Sequence, residues 1–284
     1  MPEGDVVHKT AGRLHAALSG RPLVGVDLRW PNVPGVELRG RETLEVRARG
    51  KHLLHRIGGG ITLHTHLRME GSWRIRPTVQ VTPAVARRAD IRAIVADEQW
   101  AAIGYRLGML ELLATADEDR VVGHLGPDIL AEDFDASRAS SNLLADGDRT
   151  IGSALLDQRN VAGIGTMFAA ESLFATRTPP WQRAADSDVG AILASARHMM
   201  QRSMQQPIRD VMEKVSTLEE SAVHARSGRP CLRCGGTVRV AMIGDPPQDR
   251  TMFYCPSCQG GLGPTDDGSR QQPLSSSPRS TRYG

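Results

Sequence analysis

The sequence lacks any apolar run long enough to cross a membrane, which takes roughly 20 consecutive apolar residues. We therefore expect no membrane partner. No targeting segment precedes the first predicted helix, so we expect a reducing, cytoplasmic compartment. The 284 residues are enough for one to three domains with a real hydrophobic core.

Lysine is also scarce. The chain has only Lys9, Lys51 and Lys214, and arginine carries nearly all of its positive charge. A lysine retained in this setting is a candidate for amine chemistry, because a guanidinium does not deprotonate. Lys51 follows a glycine and precedes an apolar strand, so we expect its amine at the tip of a hairpin.

The net charge is only +3, but the positive charge is clustered. Between Arg47 and Arg76 the only acid is Glu70, and four histidines lie in the same stretch. Such clustering suits a polyanion such as nucleic acid. Charge alone leaves the alternative of an ordinary solvated face.

Cysteine is limited to two Cys-x2-Cys knuckles separated by twenty residues. This spacing is typical of a zinc ribbon with four thiolate ligands. The four cysteines are Cys231, Cys234, Cys255 and Cys258. Because four thiolates fill a tetrahedral shell, the sequence predicts one structural Zn²⁺ rather than a catalytic ion. Two disulfides or a redox pair are the alternatives, and a reducing compartment disfavours disulfides.

The pattern along the chain divides it into four parts. An amphipathic helix over 5–18 is followed by short alternating runs, which favour an antiparallel sandwich or barrel. Residues 136–221 have a helical pattern, and 226–259 contain the ribbon. Residues 260–284 are rich in Gly, Ser, Pro, Gln and charge, so we expect them to be disordered.

Two local features suggest chemistry. Removal of Met1 would leave Pro2 as a secondary amine with a reference pKa near 8, nucleophilic at neutral pH, and Glu3 could shuttle protons. Gly163 and Gly165 precede a predicted helix over 166–174 and could leave backbone amides free for a phosphate. An ordinary helical hairpin with a glycine hinge is the alternative for the second feature.

Five segments in this order resemble the formamidopyrimidine-DNA glycosylase and endonuclease VIII family of base-excision enzymes. They are Met1-Pro2-Glu3-Gly4, Arg49-Gly50-Lys51, His66-Leu67-Arg68-Met69, Leu155–Gly165 and the ribbon with Arg250–Cys255. The resemblance covers about residues 1–259. It implies an α+β multidomain fold: an antiparallel β-sandwich with flanking helices (1–122), a helix–two-turn–helix domain (123–224) and a zinc finger (225–259), followed by a tail (260–284).

The resemblance also implies an activity and roles for individual residues. Pro2 would attack the anomeric carbon of a flipped, oxidised nucleotide through a Schiff base, Glu3 would shuttle protons, and Lys51 would assist β/δ-elimination. Met69 would fill the gap left by the extruded base, with plain strand packing as the alternative. The implied DNA contacts are His66, Arg68, Met69, Asn160, Thr166, Arg226 and Arg250. The implied partner of a monomeric, nucleoid-associated bacterial enzyme is double-stranded DNA that contains a damaged or abasic nucleotide.

The opening motif is most similar to the endonuclease VIII branch, which implies a preference for oxidised pyrimidines. Three departures concern other positions: Val6 replaces a common glutamate, Thr166 an asparagine that binds phosphate, and His224-Ala225-Arg226 a Tyr-Gly-Arg. Two further hypotheses therefore remain. One is a relative that binds damaged or abasic DNA with little or no turnover, and the other is a zinc-ribbon module with an unrelated front half.

Overall fold

The computed structural model describes residues 2–31, 33, 35–206 and 221–273. Within these residues the chain forms two compact units. The first contains the chain up to Ala139, the loop Gln158–Ile164 and the helix end from Arg197. The second contains Ser140–Asp157, Gly165–Ala196 and the described C-terminal part.

Two four-stranded antiparallel sheets build the first unit, which confirms the predicted sandwich. One sheet has the order β1-β6-β7-β5 and the other β2-β3-β4-β8. The strands are β1 (Gly25–Leu28), β2 (Thr43–Arg49), β3 (His52–Ile57), β4 (Ile61–His66), β5 (Ser72–Pro77), β6 (Ile91–Ala96), β7 (Trp100–Tyr105) and β8 (Met109–Ala114).

Helix α1 (Gly4–Leu18) covers the sandwich core. Its buried stripe of Val7, Ala11, Leu14 and Leu18 has the i, i+4, i+7 spacing that the sequence predicted. These side chains pack with residues of both sheets in one hydrophobic cluster. The N-terminus of the chain is thereby fixed on a rigid element.

Strand β3 buries side chains on both of its faces. Leu53 lies in the sandwich core, whereas Leu54 packs on the opposite face with Val122, Leu125 and Ala162. This second cluster brings the loop Gln158–Ile164 onto the outer face of the sheet. The same face carries His52, His64 and His66, because side chains two residues apart on a strand, and residues paired across strands, share a face.

The remaining helices are α2 (Pro83–Ala86), α3 (Asp119–Val122), α4 (Ala136–Leu144), α5 (Ile151–Leu156), α6 (Thr166–Ala175) and α7 (Val189–Gln205). Single 3₁₀ turns occur at Thr78–Gln80, Thr115–Asp117 and Ala184–Asp186. Helix α5 ends at Leu156, where Asp157 adopts an extended conformation and its carboxylate accepts from Arg149 at 2.9 Å.

In the second unit, β9 (Arg239–Ile243) and β10 (Arg250–Tyr254) form the predicted ribbon hairpin. The ribbon packs closely on α5. Ile243 of β9 lies so near Gly152 that a Cβ added to this glycine would be 2.5 Å from Ile243 Cδ1. Met252 and Tyr254 of β10 are fully buried. The hairpin therefore has an apolar attachment of its own in addition to the cysteine knuckles.

The prediction of disorder from residue 260 onwards is wrong for 260–273. Asp266 accepts two hydrogen bonds from the guanidinium of Arg239 and one from the Tyr254 hydroxyl, and its side chain is fully buried. The side-chain amide of Gln271 pairs with both backbone groups of Val240. Low apolar content predicted disorder, but here specific polar partners hold the segment. Residues 207–220 and 274–284 lie outside the described residues.

Candidate active site and metal site

The opening motif is held in place by a loop that is distant in sequence. The Gly4 amide donates to the Gly163 carbonyl at 3.0 Å, and a Cβ at Gly4 would lie 2.9 Å from Gly163 Cα. Only glycine permits this approach. Glu3 is 2 % exposed and is the N-cap of α1, but its side chain does not cap the helix. The structure therefore places Pro2 and Glu3 beside the loop Gln158–Ile164.

The same loop receives the candidate lysine. Gly50 and Lys51 form the two-residue turn between β2 and β3, which confirms the predicted hairpin tip. The Lys51 amine donates to the Ile164 carbonyl at 2.6 Å. Gln158 supports this loop from within, since its amide donates to Ile164 O at 2.9 Å and accepts from Gly163 N at 3.0 Å.

Asp128 is a functional candidate that the sequence analysis missed. Its carboxylate accepts from the Gly50 amide at 2.6 Å, from Leu130 N at 3.0 Å and from His8 Nε2 at 3.1 Å. Burial opposes ionisation, but these hydrogen bonds prevail and lower the pKa of Asp128. One buried carboxylate thus joins α1 to the turn that carries Lys51.

We expect Asp128→Asn to lower the free energy of unfolding by about 1.5–3 kcal/mol at pH 7, because a buried charge-assisted hydrogen bond is lost. The pKa of Asp128 is depressed in the folded state, so its contribution is present above its unfolded pKa of about 3.9 and is lost as pH falls through the folded value. Denaturant unfolding at pH 7 and below pH 4 should show the difference between wild type and variant shrinking in acid. A difference that is constant with pH would contradict this assignment.

The DNA-contact residues predicted from the His66 segment lie at the end of β4 and in the turn that follows it. His66 accepts a hydrogen bond from Arg68 N at its Nδ1, and burial, together with the charges of Lys51 and Arg68, lowers the pKa of His66 to about 4. Arg68 has a left-handed backbone with φ 52°, and its side chain crosses Gly108. Met69 is 65 % exposed, so strand packing, the alternative weighed for it, does not describe its position.

The predicted phosphate site before α6 differs from the prediction at Gly163, whose backbone amide was expected to be free. The Gly163 amide is not bare, because it donates to Gln158. Gly165 is the N-cap of α6 and Thr166 its first residue, and the Thr166 side chain is half-buried. Asn160 is half-buried in the loop of the first unit.

Arg226 and Arg250 both belong to the second unit. Arg250 is exposed at the start of β10 and folds back onto the carbonyls of Gln248 and Asp249 at 2.8 Å. Arg226 donates to Pro230 O at 3.0 Å, while its buried Nε has no hydrogen-bond partner among the described residues. A buried donor of this kind is costly unless a ligand satisfies it.

The four cysteines converge at the base of the ribbon, with all Sγ atoms within 4.8 Å of one another. None is in a disulfide, and the Cys234–Cys255 sulfur separation of 3.5 Å far exceeds the roughly 2.05 Å of an S–S bond. A tetrahedral zinc with bonds of about 2.3 Å requires sulfurs about 3.8 Å apart, which fits this cluster. Burial raises the pKa of Cys255 to about 12, so a cation is needed to hold it as a thiolate.

Helix α6 anchors the chain before the first knuckle and within it, which the sequence analysis did not foresee. The Glu171 carboxylate accepts from the amides of Ala222, Val223 and His224 at 2.7–2.9 Å. Arg233 donates to Phe174 O at 2.9 Å, and its guanidinium lies 4.1 Å from the centre of the Phe174 ring. Only the Cys-x2-Cys spacing was visible in the sequence, because these partners lie about 50 to 60 residues away.

Comparison with known proteins agrees with this arrangement. The formamidopyrimidine-DNA glycosylase N-terminal domain matches residues 1–126, and the H2TH domain of the same enzyme matches residues 125–214. A probable endonuclease 8 2 of Streptomyces coelicolor is 44 % identical over 94 % of this chain and 97 % of its own length. A DNA-(apurinic or apyrimidinic site) lyase Nei2 of Mycolicibacterium smegmatis is 37 % identical over 91 % of this chain and 99 % of its own length.

Solved structures show the same fold. Formamidopyrimidine-DNA glycosylase of Lactococcus lactis, in complex with DNA containing an abasic site, superposes with a TM-score of 0.76 at 23 % identity. The match covers 91 % of this chain and all of the other. The two family models define the class of protein, a DNA glycosylase with an N-terminal domain and an H2TH domain. This chain belongs to the formamidopyrimidine-DNA glycosylase family, and several of its relatives carry endonuclease 8 names.

The matches also decide one hypothesis drawn from the sequence. A ribbon module with an unrelated front half is wrong, because residues 1–126 match the family's own N-terminal domain. Across the described residues, no helix combines the length and the apolar character needed to traverse a bilayer.

Proposed function

We propose that this protein is a bifunctional DNA glycosylase and AP lyase that excises oxidised bases, with pyrimidines favoured. The observation that carries the proposal is the loop Gln158–Ile164. Its Gly163 holds the backbone that presents Pro2 and Glu3, and its Ile164 carbonyl holds the Lys51 amine. The loop Gln158–Ile164 therefore positions both the Pro2 amine and the Lys51 amine.

Pro2 is the proposed nucleophile. Its secondary amine attacks C1′ of an extruded nucleotide, the C1′–N bond to the base breaks, and the base leaves with the electron pair and a proton. Glu3, buried next to it, shuttles protons for ring opening. The resulting iminium acidifies C2′, and loss of the C2′ proton expels the 3′ phosphate. A second elimination expels the 5′ phosphate.

The remaining predicted residues bind DNA. Met69, exposed in the turn that follows β4, is proposed to enter the space vacated by the extruded base. The uncharged imidazole of His66 donates to a phosphate from Nε2, because its Nδ1 accepts from Arg68 N. The proposed phosphate and sugar contacts are His66, Arg68, Asn160, Thr166, Arg226 and Arg250. A phosphate oxygen would satisfy the buried Nε of Arg226.

A structural Zn²⁺ is proposed at Cys231, Cys234, Cys255 and Cys258, where the sulfur spacing fits a tetrahedral ion. When bound, the ion neutralises thiolate charge and joins the two knuckles. The predicted domain boundaries at 122, 224 and 259, a monomeric state and a location with the bacterial chromosome complete the proposal.

Borohydride trapping on abasic DNA tests the proposal. Only a reactive amine in a Schiff base leaves a covalent adduct, which denaturing electrophoresis and mass spectrometry would assign to Pro2. The second hypothesis, binding without efficient turnover, draws on Thr166, where an asparagine is expected in the family. Binding of abasic DNA without any adduct would support that hypothesis and overturn enzymatic activity.

We expect Thr166→Asn to tighten binding to abasic DNA by up to about tenfold at fixed salt, equivalent to about 1.4 kcal/mol. Thr166 begins α6, where an amide can reach further toward a phosphate than a hydroxyl can. Thr166→Val, which keeps the shape and removes the hydroxyl, should weaken binding modestly. The effect should be equal for every lesion, because phosphate contacts do not read bases. Unchanged affinity in both variants would show that no phosphate lies at this position.

A further inference from the structure

A chain of histidines on the outer face of β3, β4 and β8 has no role in the proposed mechanism. Glu111 Oε1 lies 2.7 Å from His64 Nδ1, and His64 Nε2 lies 2.8 Å from His52 Nδ1. The planes of the two rings are inclined by 23°, and their centroids lie 5.0 Å apart. His52 follows Lys51 in the sequence. Its ring packs edge-on against that of His66, with the two ring centroids 5.0 Å apart.

The hydrogen bonds fix which ring nitrogens carry protons. An ionised carboxylate only accepts, so His64 carries its proton on Nδ1 and its Nε2 is an acceptor. His52 must then donate from Nδ1, which leaves its Nε2, on the far side of the ring from His64, without a proton. Burial lowers the pKa of His64, and burial together with neighbouring charge lowers that of His52 to about 3, so both rings are neutral at pH 7.

We propose that His52, His64 and Glu111 form a proton relay from the Lys51 end of the sheet to solvent. A proton enters at His52 Nε2, the His52 Nδ1 proton moves to His64 Nε2, and the His64 Nδ1 proton moves to Glu111. Both imidazoles end neutral in the opposite tautomer, and the carboxyl releases its proton to water. The His64 side chain is 1 % exposed and that of Glu111 is 45 % exposed, so the middle of the path is buried and its outer end is open to solvent.

Charges on both sides give the relay a direction. Burial of His52 and the charge of the neighbouring Lys51 disfavour a positive charge on it. Glu111 and Glu118 face His64 and favour a proton there. A proton that arrives at His52 is therefore driven toward Glu111. This inference rests on the proposed function for the source of the proton, which is the C2′ proton lost in β-elimination, taken up directly or through one water.

The tautomers can be measured without any substrate. Two-bond ¹⁵N–¹H correlation spectra of the histidine-labelled protein at pH 7 should show His52 and His64 as Nδ1–H and His66 as Nε2–H. Free neutral histidine favours Nε2–H, so the expected pattern requires the chain of hydrogen bonds. An Nε2–H tautomer at His52 would overturn the relay even if the proposed enzymatic function is correct.

Glu111→Gln tests proton transfer, because the amide oxygen still accepts from His64 but cannot take its proton. We expect single-turnover strand cleavage of abasic DNA to fall about tenfold or more while borohydride trapping is retained. Glu45→Gln is the matched control. Glu45 lies on the same sheet but is not a member of the relay, and its carboxylate accepts a hydrogen bond from Arg56 at 2.9 Å. His64→Phe should give the same split between cleavage and trapping if its melting temperature shows that it folds.

A parallel loss of trapping and cleavage in Glu111→Gln, or no loss of either, would overturn the relay. If the wild-type protein forms no trapped adduct, the proposed function fails, and the tautomers at His52 and His64 alone decide the hydrogen-bonded chain.

Discussion

An added residue between Met1 and Pro2 is expected to abolish base release, strand cleavage and borohydride trapping together. The addition converts the Pro2 amine into an amide, whose lone pair is delocalised and cannot attack C1′. It also displaces the chain end at the point where Gly4 is bound to Gly163. Pro2→Gly should lower base release by several orders of magnitude, because a primary amine replaces the secondary amine whose iminium stays charged.

Three controls make this experiment decisive. Intact-mass measurement must show Met1 removed from the wild type and the extra residue retained in the variant. The same residue added at the C-terminus should leave activity unchanged. Binding to uncleavable abasic-site DNA should persist in the Pro2 variants, since the proposed grip residues are intact. Native cleavage rates in the extended protein would exclude Pro2 as the nucleophile.

Features encoded by local pattern were predictable from the sequence. The helix over 5–18 was predicted to within one residue of α1, which spans Gly4–Leu18, because its apolar stripe has helical periodicity. The Gly50 turn and the ribbon hairpin were also recognised from local pattern, because each is a short segment with a characteristic sequence. Cysteine spacing also predicted the convergence of four sulfurs.

Features that depend on distant partners were not predictable from the sequence. Asp128 binds the amide of Gly50, 78 residues away, and nothing near Asp128 in the sequence indicates this contact. Asp266 lies in a segment whose composition predicts disorder, yet Arg239 and Tyr254 supply buried partners for it. Composition measures the average tendency of a segment to bury apolar area, and it cannot report a few specific polar contacts.

The histidines illustrate the same limit within one sheet. His64 and His52 appeared in the sequence as part of a basic cluster, which suggested contact with a polyanion. The strand register instead places His64 opposite Glu111 and His52 opposite His66, and burial keeps the rings neutral. Once the register is known, we interpret these histidines as groups that transfer a proton rather than as carriers of positive charge.

Loss of the metal is expected to have the second large effect. Cys255→Ser should reduce bound zinc from one ion per chain to a small fraction and lower DNA affinity by at least about tenfold at fixed salt. Cys255 directly follows the buried end of β10, the strand that begins with Arg250, so loss of the metal joint leaves the position of that arginine poorly defined. The hairpin itself should persist, because Met252 and Tyr254 are buried and Asp266 binds both Arg239 and Tyr254.

Ser257→Ala is the matched control, since Ser257 is exposed between Cys255 and Cys258 and offers no sulfur. Elemental analysis should find one zinc in this variant and in the wild type. Trapping by Cys255→Ser at saturating DNA should remain, because Pro2 and Lys51 are organised within the first unit, whereas trapping at low DNA should fall with affinity. Wild-type protein that binds abasic DNA and contains no metal would show that the cysteine cluster has another purpose. Loss of zinc without loss of affinity would show that the buried apolar residues and the segment 260–273 hold the ribbon without the ion.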